Sequence, residues 1–254
     1  MSAEARNLAD LVGRAASDNP DKTALIDGDR TLTWGALEQA VDRFAAGLAA
    51  RSLQPGDRVG LLLPNSIEFA VAYFGTLRAG LVALPLNTAY TGEELGYQLT
   101  DSAAALVVTD AEHRELAGGV DTLVARSDEW SALLAADASA PAVTTGSEDL
   151  AVLLYTSGTT GRPKGAMLSH RALLANLAQM ATITPRVVAA DDVVLLVLPL
   201  FHVYGLNAGL GLTAYVGATG VLADRFDPVE TLQLVHDRAV SNIVGAPPMY
   251  VAWS

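Results

Sequence analysis

A chain of 254 residues is long enough to bury one large core or two smaller ones. With 51% hydrophobic and 17% charged residues it is not disordered over most of its length, and a net charge of -12 argues against nucleic acid or an anionic membrane as its main partner. Cysteine is absent, which excludes disulfides, thiol nucleophiles and thiolate metal sites, and His113, His170, His202 and His236 lack metal-ligand spacing.

The opening segment, Met1 to Ala15, is amphipathic and carries acids, without the continuous apolar stretch of a signal peptide, so the cytoplasm is the expected compartment. Trp34, Leu37, Val41, Phe44 and Leu48 share one face at helical spacing, with Thr33 placed to cap the start. Asn65 and Glu68 are spaced as a capping pair before a helix over Ile67–Ala79 that Gly80 closes. Thr91 and Glu94 repeat that spacing before Leu95–Leu99. Short apolar runs of strand type lie between and after these helices: Val59–Leu63, Leu81–Leu84, Ala105–Thr109 and Asp121–Ala125. Such alternation predicts an α/β fold with a largely parallel sheet.

Ser131–Glu148 is rich in Ala, Ser, Thr and Asp and contains Pro141, which reads as a surface connection. A boundary there gives a first α/β subdomain over 1–140 and an incomplete second one over 141–254. The pattern resumes with strand Leu150–Tyr155, a loop, strand Ala166–Leu168 and a helix over Arg171–Ala181. Val193 to Ala223 then holds no Asp, Glu, Lys or Arg, long enough for a membrane span. Pro199, His202 and the glycines within it favour a buried strand, helix and strand instead.

The chemistry sits in Leu153-Leu-Tyr-Thr-Ser-Gly-Thr-Thr-Gly-Arg-Pro-Lys-Gly165. An apolar strand feeds a loop with four hydroxyls, Thr156, Ser157, Thr159 and Thr160, while Gly158, Gly161 and Gly165 permit close backbone approach. Consecutive backbone N–H groups and hydroxyls make such a loop an anion cradle, and a lysine adds charge for polyphosphate. Lysine is rare here: among 16 Lys and Arg residues, the lysines are Lys22 and Lys164, and Lys164 lies in this loop. The Walker pattern fails on spacing, because Pro163 precedes Lys164 and Gly165 follows it.

Thr156 to Gly165, read with Leu153, resembles the signature of the adenylate-forming superfamily, which includes acyl- and aryl-CoA synthetases, luciferases of the firefly type and peptide-synthetase adenylation domains. Further segments are similar in order: Pro55-Gly-Asp-Arg-Val59, Leu63-Pro-Asn65, Leu77 to Asn87, Pro199-Leu-Phe-His-Val-Tyr-Gly205 and Val244-Gly-Ala-Pro-Pro-Met-Tyr250. The resemblance runs from about residue 20 to Ser254 and implies the N-terminal part of that fold, with layered α/β subdomains.

It also implies activation of a carboxylic acid, fatty acids first, by ATP to an acyl-adenylate and then to a coenzyme A thioester. By position Thr156, Ser157, Gly158, Thr159, Thr160, Gly161 and Lys164 would hold the phosphates, and Thr156 would also help to place Mg2+. His202 would stand at the mouth of the acyl pocket, although a hydrogen-bonded histidine in a buried turn fits its chemistry equally. Val203, Tyr204, Leu206 and Met249 would line that pocket. Phe201-His202, where peptide-synthetase domains carry an acid, favours a substrate without an α-amine.

Family members run to roughly twice this length. The motifs that grip adenine and ribose, the catalytic lysine and most of the coenzyme A site lie in the part this sequence does not match, and Lys22 has no motif around it. The expectation is a portion weakly active or inactive alone, prone to self-association through a cut sheet. The alternative is a non-catalytic nucleotide- or partner-binding module.

Overall fold

The computed structural model describes residues 5–136, 139–140, 145–156 and 162–254. They form two compact units interleaved along the chain. The first takes Met1–Asp10, Gln39–Leu63 and Glu68–Leu173; the second takes Leu11–Glu38, Pro64–Ile67 and Leu174–Ser254.

In chain order, α1 (Asp10–Asp18) precedes an antiparallel pair, β1 (Thr23–Asp27) and β2 (Arg30–Thr33), turned at Gly28. Next comes α2 (Trp34–Ala50), whose predicted stripe of Trp34, Leu37, Val41, Phe44 and Leu48 is buried, and Thr33 Oγ1 accepts the Ala36 N–H at 3.2 Å. The middle of the chain alternates strand and helix as the apolar runs require: β3 (Arg58–Leu62), α3 (Ile67–Arg78), β4 (Val82–Pro85), α4 (Gly92–Asp101), β5 (Ala104–Thr109), β6 (Thr122–Val124) and α5 (Asp128–Ala135). A hairpin follows, β7 (Leu150–Thr156) and β8 (Lys164–Ser169), and then α6 (His170–Ala181).

The uncharged run resolves into β9 (Val193–Leu196), a π-helical stretch Tyr204–Gly211 running into α7 (Leu212–Val216), and β10 (Thr219–Leu222). The chain continues through α8 (Pro228–Asp237), β11 (Asn242–Ile243) and α9 (Pro247–Ala252). Among the described residues no helix is long and apolar enough to cross a membrane.

The first unit is built on a six-stranded sheet in the order β6-β5-β3-β4-β7-β8, parallel except for the β7–β8 hairpin at one edge. Leu62, Leu84, Leu86, Leu95, Leu99 and Val107 close its core. Helix α3 is buried along Glu68–Leu77, as an apolar sequence all round a helix demands. The second unit carries a five-stranded sheet, β11-β9-β10-β1-β2, in which β1 pairs parallel with β10 and Leu25 sits opposite Gly220. Its core gathers Leu195, Val197, Val221 and Met249.

The Thr91–Glu94 capping box forms as expected. The Asn65–Glu68 pair corrects the sequence reading. Asn65 Nδ2 lies 3.1, 3.0 and 3.1 Å from the carbonyl oxygens of Leu196, Leu198 and Ala223, and its Oδ1 accepts the Leu200 N–H at 2.9 Å. Asp27 Oδ2 receives the Ile67 N–H instead, at 3.3 Å. A buried amide is satisfied best where several backbone groups converge, and the ends of β9 and β10 offer them. Gly80 does close α3: it takes a φ of 73°, and the Leu81 N–H reaches back to Thr76 O at 3.1 Å.

Candidate functional site

Strand β7 is apolar and mostly buried until it emerges at Thr156, beyond the carboxyl end of its parallel neighbour β4, where ligands of open α/β sheets bind. The hairpin returns in the register Thr156↔Lys164, so the first hydroxyl of the loop and its lysine stand opposite each other at the mouth. Thr156 Oγ1 lies 3.5 Å from Lys164 O, at the limit of a hydrogen bond, and both residues are exposed. Ser157, Gly158, Thr159, Thr160 and Gly161 lie outside the described residues.

Gly165, paired with Tyr155, has a local reason to lack a side chain: a Cβ there would meet Leu153 Cδ1 at 2.8 Å. Beside it α4 contributes a small polar cluster. Tyr155 Oη donates to Asp101 Oδ2 at 2.6 Å, and Tyr97 Oη donates to Pro163 O at 3.3 Å. The two rings meet edge-on at 6.3 Å, and the Arg162 guanidinium lies 5.9 Å from the centre of the Tyr97 ring. Burial and the Asp101 carboxylate push the Tyr155 phenol above its ordinary range, so it stays a donor at neutral pH. Sequence reasoning did not reach Tyr97, Asp101 and Arg162 as a group. Tyr97 and Pro163 are 66 residues apart, and no local pattern joins them.

The rim has the residue types that suit a polyanion: Lys164, Thr156 and Arg162 flank, in sequence, a stretch with glycines and further hydroxyls. Among the described residues no three His, Asp or Glu gather as a metal site, and Thr156 contributes a single neutral oxygen. A magnesium ion there fits only as a companion of bound phosphates, which with water supply most of its oxygen ligands.

In the second unit, the turn after β9 presents His202, Val203 and Tyr204 on the surface. The His202 N–H donates to Pro199 O at 3.1 Å, its carbonyl accepts the Leu206 N–H at 2.9 Å, and its Nδ1 accepts the Tyr204 N–H at 3.2 Å. With Nδ1 engaged as an acceptor, the neutral ring carries its proton on the other nitrogen. Gly205 is required by close approach, since a Cβ would sit 2.5 Å from Pro199 O and 2.8 Å from Leu198 O. Leu206 and Met249 are buried, and Met249 packs with Leu195, Val197 and Val221. The structure thus brings His202, Val203 and Tyr204 together in one exposed turn and sets Met249 in the core beneath the sheet's own side chains. Lys22 donates to the carbonyls of Ala190 and Gly217, a structural tie in which burial lowers the pKa of its ammonium.

Against known proteins, the chain matches the AMP-binding enzyme family over residues 12–253. It is 40% identical to 4-coumarate--CoA ligase 5 of Oryza sativa subsp. japonica, over 96% of this chain and 48% of that protein. It is 36% identical to a feruloyl-CoA synthase of Amycolatopsis sp. (94% and 48% covered) and 30% identical to a long-chain-fatty-acid--CoA ligase of Bacillus subtilis (97% and 51%). The chain spans about half the length of the curated relatives it matches.

Among solved structures it resembles the inhibitor-bound N-terminal domain of FACL13 from Mycobacterium tuberculosis, with a TM-score of 0.88 at 30% identity and 97% and 64% coverage. It also resembles ATP-bound MatB from Rhodopseudomonas palustris, with a TM-score of 0.84 at 35% identity and 97% and 51% coverage. A strand that ends in a glycine–hydroxyl loop, a lysine returned opposite its first threonine and a match over nearly the whole sequence agree: this chain belongs to the AMP-binding enzyme family.

Proposed function

We propose that the chain provides the phosphate grip and part of the acid-binding wall of an ATP-dependent acid–CoA ligase. The observation that carries this is the Thr156↔Lys164 pairing at the mouth of the loop. Lys164 offsets charge on the β- and γ-phosphates, and Thr156 with Ser157, Gly158, Thr159, Thr160 and Gly161 donates hydrogen bonds to them. Thr156 would join the oxygen shell of a magnesium ion entering with ATP, whose charge would neutralise further phosphate oxygens. Coenzyme A is the acceptor that the family's ligases share, and the complete reaction belongs to a protein of the relatives' length.

His202, Val203 and Tyr204 form the acid-facing turn in this reading, apolar apart from the imidazole and the phenol. The substrate is a carboxylic acid with a largely apolar body. The 40% and 36% identical relatives are named for aromatic acids and the 30% identical one for a long-chain fatty acid, so aromatic acids take precedence over the fatty acids expected first.

The test is calorimetric titration of Mg–ATP into the chain and into Lys164→Ala. The expected loss is about tenfold in affinity, ~1.4 kcal/mol, with an unchanged melting midpoint because Lys164 is exposed. Equal affinity in both proteins, or no binding in either, overturns the reading. Pyrophosphate exchange driven by 4-coumarate, ferulate or palmitate then ranks the acids. Binding without exchange for any of them leaves a phosphate-gripping portion, and the acids are then ranked in a protein of the relatives' length.

A further inference from the structure

Behind the Thr156–Lys164 pair, α4 and β7 carry two tyrosines to the exit of the glycine loop. Tyr97 and Asp101 are four residues apart on α4, hence on one face. Asp101 takes the hydroxyl of Tyr155 at 2.6 Å, and the edge contact between the rings fixes Tyr97 against Tyr155. So braced, the Tyr97 hydroxyl donates to Pro163 O at 3.3 Å, and its ring faces the Arg162 guanidinium at 5.9 Å.

The Pro163 carbonyl and the Lys164 N–H belong to one planar peptide, so a donor on the carbonyl sets the plane on which Lys164 leaves the loop. On its other flank, Lys164 O lies 3.5 Å from Thr156 Oγ1. Side chains from elsewhere therefore hold the backbone before and after the lysine. A loop ordered in advance loses less freedom when its ligand arrives, and that saving appears as affinity.

We propose that Tyr97 is a positioning residue for the phosphate grip: its hydroxyl pins the Pro163–Lys164 peptide and its ring holds Arg162, so that Lys164 meets a polyphosphate already oriented. The inference rests on the ATP-gripping reading above and adds a residue that touches no substrate. Tyr97→Phe is the informative substitution, since it removes the hydroxyl and keeps the ring packed on Tyr155.

The experiment is a double-mutant cycle read by calorimetry with Mg–ATP and with magnesium tripolyphosphate on wild type, Tyr97→Phe, Lys164→Ala and the double variant. Tyr97→Phe is expected to weaken both ligands about fourfold at an unchanged melting midpoint. In the Lys164→Ala background the same change is expected to cost nothing further, because Tyr97 acts through the lysine. Wild-type affinity in Tyr97→Phe, or the same loss in both backgrounds, overturns the inference and leaves the ATP-gripping reading standing. No effect of Lys164→Ala overturns that reading itself. If Tyr97→Phe lowers the melting midpoint, amide exchange of the wild type decides. Protection of Lys164 already present without ligand supports the inference, and protection that arises only with tripolyphosphate overturns it.

Discussion

The rim at β7–β8 and the turn after β9 both end a buried apolar strand, yet they are held in different ways. At the rim, side chains hold backbone: Thr156 reaches Lys164, and Tyr97 reaches Pro163, all of them exposed or half-buried. After β9, backbone nearly touches backbone at Gly205, and one buried amide, Asn65, ties together the ends of two strands. The rim can therefore change in ligand affinity with little cost to the fold. The turn has no such freedom, because Gly205 lies against the Leu198 and Pro199 carbonyls and Asn65 holds Leu198 and Leu200 beside it.

The largest expected effect lies at that tie. Asn65→Ala leaves buried carbonyls and the Leu200 N–H without their partner, and about 4 kcal/mol of stability is expected to go, read by urea denaturation. A loss below about 1 kcal/mol would break the comparison.

The rim's own unit has a buried tie of another kind. His170 follows β8, is 1% exposed, and its Nδ1 accepts the Leu8 N–H at 3.1 Å. Burial holds its pKa down to about 4 from an ordinary 6.5, with Asp149 and Asp10 pulling the other way. Between those values the unfolded chain is protonated while the folded one is not. The His170 contribution is thus full above pH 6.5 and declines as pH falls toward 4. The total is ~3 kcal/mol at most. In His170→Gln this slope of stability against pH is expected to flatten; a slope unchanged in that variant places the acid sensitivity elsewhere.

Two glycines sharpen the contrast. Gly205→Ala presses a Cβ against carbonyl oxygens and is expected to cost about 2 kcal/mol, whereas Gly165→Ala presses only on the end of Leu153 and is expected to cost under about 1 kcal/mol. Equal losses by denaturation would mean that the rim is as rigid as the turn. A similarly small effect is expected of Thr91→Ala, about 1 kcal/mol or less, because it unmakes one exposed capping box on α4. If it also weakens Mg–ATP binding, α4 transmits more to the rim than Tyr97 alone accounts for.

Much of the architecture was legible because its causes are local. The stripe on α2, the capping box on α4 and the break-up of the uncharged run at Pro199 and its glycines each depend on neighbours within a few residues. The same local logic misread Asn65. Its spacing to Glu68 suits a cap, but strands more than a hundred residues away offer its amide better partners. The hydroxyl–glycine–lysine pattern marked the proposed phosphate loop without any structure, since the chemistry of gripping an anion dictates those residue types. Met249, expected as a wall of the acyl pocket, packs with Leu195, Val197 and Val221, partners that an apolar side chain cannot signal on its own.

The sequence by itself determined the alternation of elements, the loop and its lysine, and the family, since periodicity, caps and motif spacing are properties of short stretches. Tertiary structure alone decided that β1 and β2 join β9, β10 and β11 in one sheet, and that Tyr97 and Asp101 stand behind Lys164. Those pairings span tens to hundreds of residues. They are selected by which apolar faces bury together and which polar groups then find partners, a choice settled only once the whole core has packed.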